Sequence, residues 1–167
     1  WRNFRAGGVE SVRGFSSNTI GPRAILRNHS TLPAPGGSIP LPSDEDSVSV
    51  STNSLGGNAL ATAGIELIVP TPFLDESYNN SVRTSLFFDV GNVWDTEFNY
   101  DAYSVLDADE LAKIDDYSDP GRIRYSAGIA VQWYSPMGPM IFSLARPLKK
   151  FEYDESEVFG FTVGRTF

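Results

Sequence analysis

From Arg122 to Ser135 the chain alternates strictly, with Tyr125, Ala127, Ile129, Val131 and Trp133 at one parity and Arg124, Ser126, Gly128, Ala130, Gln132 and Tyr134 at the other. Period two sends successive side chains to opposite faces, so this stretch is expected as a β-strand with one apolar and one polar face. The pattern recurs. Asn58 to Pro70 carries Ala61, Ala63, Ile65, Leu67 and Val69 against Leu60, Thr62, Gly64, Glu66 and Ile68. Val82 to Trp94 sets Thr84, Leu86, Phe88, Val90 and Trp94 against Arg83, Ser85, Phe87, Asp89 and Gly91. Met140, Phe142 and Leu144 alternate with Ile141, Ser143 and Ala145, and Phe159 to Phe167 closes the chain on a fifth alternating run.

The connections between these runs alternate in length. A long segment precedes Asn58, a short turn with aromatic shoulders spans Phe73 to Asn80, and a long polar connection spans Asp95 to Gly121, with a helical turn near Asp107 to Ile114. Pro136 to Pro139 turns tightly, and Pro147 to Val158 reads as an acidic loop. Short turns at one end, long loops at the other and an outward apolar band are the plan of an outer-membrane β-barrel. No run of about 18 apolar residues exists, so a membrane-spanning helix is not expected. About five strands cannot close a barrel, and an open edge in lipid leaves backbone groups unpaired. Further strands are therefore expected upstream of Trp1 or from another copy, and the chain reads as a piece of something longer.

Charge is placed unevenly. The net charge is −8, yet Arg2, Arg5, Arg13, Arg23 and Arg27 crowd the first segment, while acids cluster between the apolar runs. This balance excludes a nucleic-acid footprint, which needs a basic face. Within residues 1–57, Val12-Arg13-Gly14-Phe15 lies between Gly7-Gly8 and Gly21-Pro22, a compact loop tip that delivers one guanidinium to a fixed place. The part from Asn28 to Leu55 is rich in Pro, Gly and Ser and is expected to be a mobile external insertion. Two acids, Glu66 and Asp89, stand inside apolar runs, where a carboxylate is costly unless it faces away from the apolar phase and meets a cation. The expectation is that the loop folds back so that Arg13 meets both.

Several motifs together carry a family resemblance: Val12-Arg13-Gly14-Phe15 followed by Ser17-Asn18-Thr19-Ile20-Gly21-Pro22, Pro70-Thr71-Pro72-Phe73, Phe87-Phe88-Asp89-Val90-Gly91-Asn92-Val93-Trp94-Asp95, and Ser135-Pro136-Met137-Gly138-Pro139. The chain resembles the C-terminal end of the BamA family, the central subunits of the bacterial outer-membrane β-barrel assembly machinery. The resemblance implies an all-β, transmembrane antiparallel barrel, of which this chain supplies about the last five of sixteen strands. Residues 1–57 would be the sixth extracellular loop, folded into the lumen, and residues 58–167 the strands with their connections. It implies a loop–lumen clamp of Val12, Arg13, Gly14 and Phe15 with Glu66 and Asp89. It also implies a terminal strand of Phe159, Gly160, Phe161, Val163, Gly164 and Phe167 that forms a weak lateral seam. Glycine in a strand weakens it and permits bending, which suits Gly160 and Gly164 to that role.

The implied partners are nascent outer-membrane β-barrel clients, outer-membrane lipid and lipopolysaccharide, and assembly lipoproteins held through upstream POTRA domains. Nothing in these residues matches POTRA, so this piece alone is not expected to insert clients. A polypeptide-secreting transporter of the same superfamily and a structural porin-like barrel are the alternatives. No cofactor is expected. Cysteine is absent, which removes thiolate chemistry and Cys-based zinc sites. The single histidine, His29, sits in a low-complexity stretch, and no nucleophile elbow, phosphate loop or paired-histidine metal motif occurs. The acids Asp107, Asp109, Glu110, Asp115, Asp116 and Asp119 lack the glycine and terminal glutamate of a helix-loop-helix calcium site and read as a solvated loop. An enzyme is not expected.

Overall fold

The computed structural model describes residues 3–28, 31–34, 37–40, 47–71, 81–104 and 106–164. The expected turn at Phe73–Asn80, His29 and the C-terminal Phe167 lie outside these residues. Five strands form one antiparallel meander in chain order: β5 (Ala59–Val69), β6 (Val82–Trp94), β7 (Arg124–Ser135), β8 (Gly138–Lys149) and β9 (Phe159–Val163). Four shorter strands precede them: β1 (Arg23–Asn28), β2 (Thr31–Ala34), β3 (Gly37–Pro40) and β4 (Ser47–Ser54). In the β6–β7 connection a 3₁₀ turn at Tyr100–Tyr103 is followed by an α-helical turn, α1 (Ala108–Leu111), where the sequence pattern placed one.

Because paired residues in a ladder share a face, the registers assemble the five strands into rows. Leu67, Leu86, Ile129, Leu144 and Phe159 make one row across the whole meander, and Val69, Thr84, Val131, Phe142 and Phe161 the next. Leu67, Leu86, Ile129, Leu144, Phe159 and Phe161 are all exposed, so this apolar face has no protein cover. The Phe142 and Phe161 rings lie 5.0 Å apart. Thr84 is the exception on this face: it is buried, and its hydroxyl meets that of Thr71 at 3.1 Å. The opposite face carries the rows Gly64, Asp89, Ser126, Pro147 and Glu66, Phe87, Gly128, Ala145. Here small residues alternate with polar ones, and Asp89, Ser126, Ala130, Gln132 and Ser143 are buried. The alternation in β6 and β7 therefore reads as drawn from the sequence, with Ile129 outward and Gln132 inward.

Two boundaries differ from the sequence pattern. β8 continues to Lys149, beyond the expected start of an acidic loop at Pro147. A register shift between Tyr125 and Ser126 makes this possible, because a bulge tolerates a proline that cannot donate to the ladder. The segment expected as a mobile insertion contains an antiparallel ribbon: β1 pairs with β4 from Arg23 opposite Ser54 to Asn28 opposite Ser47, and β2 pairs with β3. The reason is the Ser-Val-Ser-Val-Ser alternation in β4, which buries Val48 and was masked by the surrounding prolines and acids. The last strand is regular from Phe159 to Val163 and Gly164 has φ +82°; the rest of its expected course, to Phe167, lies outside the described residues.

The row assignment makes a direct prediction. Arginine at Ile129, placed on the uncovered apolar face, should destabilise the parent barrel in phosphatidylcholine bilayers by about 2–4 kcal/mol if that face meets the bilayer interior. Denaturant unfolding of Ile129→Arg with unchanged stability would remove the face from lipid.

Candidate functional site

Residues 3–22 fold as a narrow loop that crosses the inner face of the meander. Phe4 bridges to Gly57 and Ala6 to Ile20, and Gly8 bridges to Val12, closing the tip. Ser11 Oγ accepts from Gly7 N at 2.8 Å and donates to Gly7 O at 3.1 Å. Ala6, Val12, Phe15 and Ile20 are buried with Val93 of β6 in one apolar cluster, so the loop carries a small core of its own and reaches the wall as a shaped body.

Arg13 leaves that body toward β5 and β6. Its Nε donates to Asp89 Oδ2 at 2.8 Å and its Nη2 to Asp89 Oδ1 at 2.9 Å, a two-pronged contact in which the planar fork matches both carboxylate oxygens. The Arg13 backbone N–H also donates to Asp89 Oδ2, at 3.1 Å. Nη1 donates to Glu66 Oε1 at 3.2 Å, and Ser85 Oγ holds the same oxygen at 2.7 Å. The guanidinium carbon lies 3.5 Å from the Phe87 ring centroid, a cation–π contact that takes one face of the ion. The Arg13 carbonyl accepts from Ser126 Oγ. Burial opposes the charge on Arg13, but the hydrogen bonds and charge of Asp89, and then of Glu66, hold its pKa above the ordinary arginine value. Asp89 is 3% exposed, whereas the Glu66 side chain is 28% exposed. Screening is stronger at Glu66, so Asp89 is the tighter partner.

Two glycines let the loop come this close. Gly14 has φ +89°, and a Cβ there would lie 3.1 Å from Ala145 Cβ and 3.3 Å from Ser126 Cβ. On the wall, a Cβ at Gly91 would lie 2.6 Å from Val12 Cγ2. Phe15 faces the apolar cluster with no exposed surface, and its backbone bridges to Ser156 in the β8–β9 connection. Around that bridge Ser16 N donates to Glu155 O at 2.9 Å, Glu157 N to Gly14 O at 3.1 Å and Glu155 N to Thr19 Oγ1 at 3.0 Å. The loop is thus held between the wall and the segment that leads into β9.

In β9, Phe159, Phe161 and Val163 are exposed on the outer face, while Gly160 is buried. A Cβ at Gly160 would lie 2.5 Å from both Val9 Cγ1 and Ser143 Oγ, which gives that glycine a steric reason in addition to strand bending. Phe167 lies outside the described residues.

A second buried ionic cluster escaped the sequence reading. Arg124 Nε and Nη2 donate to Asp154 Oδ2 and Oδ1 at 2.9 and 3.3 Å, and Arg124 Nη1 donates to Asn92 Oδ1 at 2.8 Å. Arg23 Nη2 lies 3.8 Å from Asp154 Oδ1 and donates to Thr19 O at 2.9 Å and Tyr153 O at 2.7 Å. All three charged residues are at most 5% exposed. Asp154 stands in an acidic run that looks solvated. The hint in the sequence is an arginine, Arg124, on the polar face of β7, which is opposite Gly91 and not an acid. In the long connection, Lys113 and then the Val48 N–H hold the Glu110 carboxyl below its usual range, which ties α1 to β4. Burial, with help from Asp115, pushes the Tyr117 hydroxyl up to about 12.

The Omp85 superfamily domain matches residues 1–167. The chain belongs to the Omp85 superfamily. Its meander is accordingly part of a transmembrane antiparallel β-barrel. The chain is 36% identical, over its whole length, to the outer membrane protein assembly factor BamA of Neisseria meningitidis serogroup B, of which it covers 19%. It is 28% identical over its whole length to the BamA of Nitratidesulfovibrio vulgaris, covering 16% of that protein. The crystal structure of BamA from Haemophilus ducreyi lacking POTRA domains 1–3 superposes with a TM-score of 0.71 at 40% identity, over 99% of this chain and 27% of that one. This Omp85 chain therefore spans about a fifth or less of the length of these curated relatives.

Truncating the buried ion pair leaves Asp89 without its cation. Arg13→Ala in the parent barrel should cost about 3–5 kcal/mol, read as a lower temperature for the heat-induced mobility shift in gels. Arg13→Lys should recover only part of it, since an ammonium cannot span both oxygens. Asp154→Asn should lower the same temperature independently, because Arg23 and Arg124 would then share a buried site without a counter-charge. Additivity of Arg13→Ala and Asp154→Asn is the expected result for sites that do not share partners.

Proposed function

We propose that this Omp85 chain is the C-terminal part of the barrel of a BamA-type assembly factor, integral to the bacterial outer membrane. In this reading it folds and inserts client outer-membrane proteins through a seam at its last strand. The observation that carries the reading is the Arg13–Asp89–Glu66 contact, in a chain whose full length is similar to two assembly factors. That similarity favours assembly over the transporter and porin alternatives. Residues 1–57 act as the lumen loop with its β-ribbon, and residues 58–167 as the terminal strands.

The work needs no chemistry. Among the described residues β9 pairs with β8 from Met140 opposite Val163 to Leu144 opposite Phe159, whereas β8 pairs with β7 from Ser135 opposite Gly138 to Tyr125 opposite Lys149. Among the described residues the β8–β9 ladder is the shorter one, and the edge of β9 that has no partner within this chain is the one that would offer backbone donors and acceptors for strand addition. A client strand adds by exchanging water for main-chain hydrogen bonds, with Phe159, Phe161 and Val163 keeping the lipid side apolar. The Arg13 clamp, tied through Phe15 and Ser156 to the segment before β9, holds the inner wall while the edge is in use. Lipoprotein partners act through POTRA domains outside this chain, and lipid and lipopolysaccharide surround its outer face.

Because the sequence has no cysteine, a Thr162→Cys substitution introduces a single thiol into this region. In cells making the full-length parent, that thiol should form disulfide-linked adducts with a nascent barrel client carrying a cysteine in its own terminal strand. Efficient client assembly without any adduct along β9 would sink the seam.

A further inference from the structure

The outer face of β8 begins as an apolar series, Met140, Phe142 and Leu144, and then changes. Arg146 pairs with Ala127 and therefore shares the outer face, and it is exposed. One step on, the register shift sets Lys149 opposite Tyr125 while Pro147 stays opposite Ser126. Bulges re-aim side chains, and here the extra residue, Leu148, returns Lys149 to the same face as Tyr125. Without the shift, parity would turn Lys149 inward. Leu148 itself is 57% exposed. The Lys149 ammonium lies 5.6 Å from the centroid of Phe151, the ring that also carries Arg122 at 4.0 Å and Arg124 at 4.6 Å, and the Tyr125 ring packs 5.9 Å from that of Phe88. Among the described residues neither Arg146 nor Lys149 forms an ion pair.

The position along the strand matters. Arg146 lies eight residues beyond the tight turn that ends at Gly138, roughly 20 Å up a tilted strand, and the apolar band of such barrels is about 25 Å tall. Two cations without an ion pair among the described residues, and an aromatic hydroxyl, thus emerge where the band ends on the long-loop, external side. A cation in the band would be costly, and at its rim it reaches head groups.

We propose that Arg146 and Lys149, with Tyr125 beside them, form a site on the outer wall of β7 and β8 for the phosphate of a lipid in the external leaflet, with lipopolysaccharide as its source. Arg146 takes the phosphate through its planar fork, Lys149 adds a second point charge, and Leu144, one step toward the turn on the same face, lies against the acyl chains. The site fixes one lipid beside the strand that precedes the seam. This assignment rests on the outer-membrane reading above.

The test uses the full-length parent protein in detergent micelles with diphosphorylated lipid A, dephosphorylated lipid A and inorganic phosphate as probes, and native mass spectrometry to read retained lipid. Phosphorylated lipid A should bind, and Arg146→Gln with Lys149→Gln should weaken it roughly 10- to 30-fold, each single substitution giving an intermediate loss. Arg146→Lys with Lys149→Arg should retain binding. Dephosphorylated lipid A should bind the unaltered protein no better than phosphorylated lipid A binds the double variant. Equal binding by the double variant and the unaltered protein overturns the site, and inorganic phosphate binding as tightly as lipid A overturns the lipid assignment. Client insertion is measured in parallel in phosphatidylcholine vesicles without lipid A. Loss of insertion with intact lipid binding would overturn the assembly reading and leave the site standing.

Discussion

A guanidinium removed from water has to be neutralised where it lies, and in this chain Arg13 is neutralised by Asp89. The carboxylate is as dependent on the cation as the cation is on it, since each is nearly fully buried and either alone would be left charged in a medium that solvates it poorly. The backbone N–H of Arg13 on the same carboxylate and the Phe87 ring under the ion leave few alternative poses. The contact therefore decides where the loop sits, and the place where it sits decides what the wall can be made of. Gly91 lies under Val12, Gly14 lies over Ser126 and Ala145, and Gly160 lies under Val9. A wall of ordinary side chains would hold the loop away from the acids it has to reach.

The same loop fastens the far side of the sheet. Arg13 reaches β5 and β6, Phe15 and Ser16 pair with the β8–β9 connection, and Arg23 shares Asp154 with Arg124 of β7. The inner wall and the loop are consequently one packed unit, and among the described residues the β8–β9 ladder is the shortest of the five-stranded meander. Bonds across the inside tie the loop to the segment that leads into β9. The outer face has no such cover, and the one irregularity in its central strands, the bulge at Leu148, brings a lysine out to where the apolar rows end.

Legibility followed the range of the interactions. β6 and β7 were plain in the sequence because a strand between two unlike media must alternate, and Asp89 was singled out because a carboxylate breaks an apolar run. The turn at α1 was visible from local composition. β8 was read too short, since Pro147 ordinarily ends a strand and only the pairing with Ser126 shows that a bulge accommodates it. The β1–β4 ribbon was passed over because its serine–valine alternation is brief and lies among prolines and acids. Asp154 gave no signal at all, because the glutamates around it are solvated and nothing local separates it from them.

By itself, the order of residues determined that β5, β6 and β7 are strands, the two faces they carry and the need of Arg13 for an anion, because each follows from side-chain period or from the cost of a charge in apolar surroundings. Only the tertiary structure decided that Asp89 takes both prongs while Glu66 takes one, that Asp154 closes a second ionic cluster, and that a bulge sets Lys149 opposite Tyr125. Those outcomes depend on register and on contacts between residues more than a hundred positions apart in the case of Arg23 and Asp154, and such contacts leave no periodic trace in the chain.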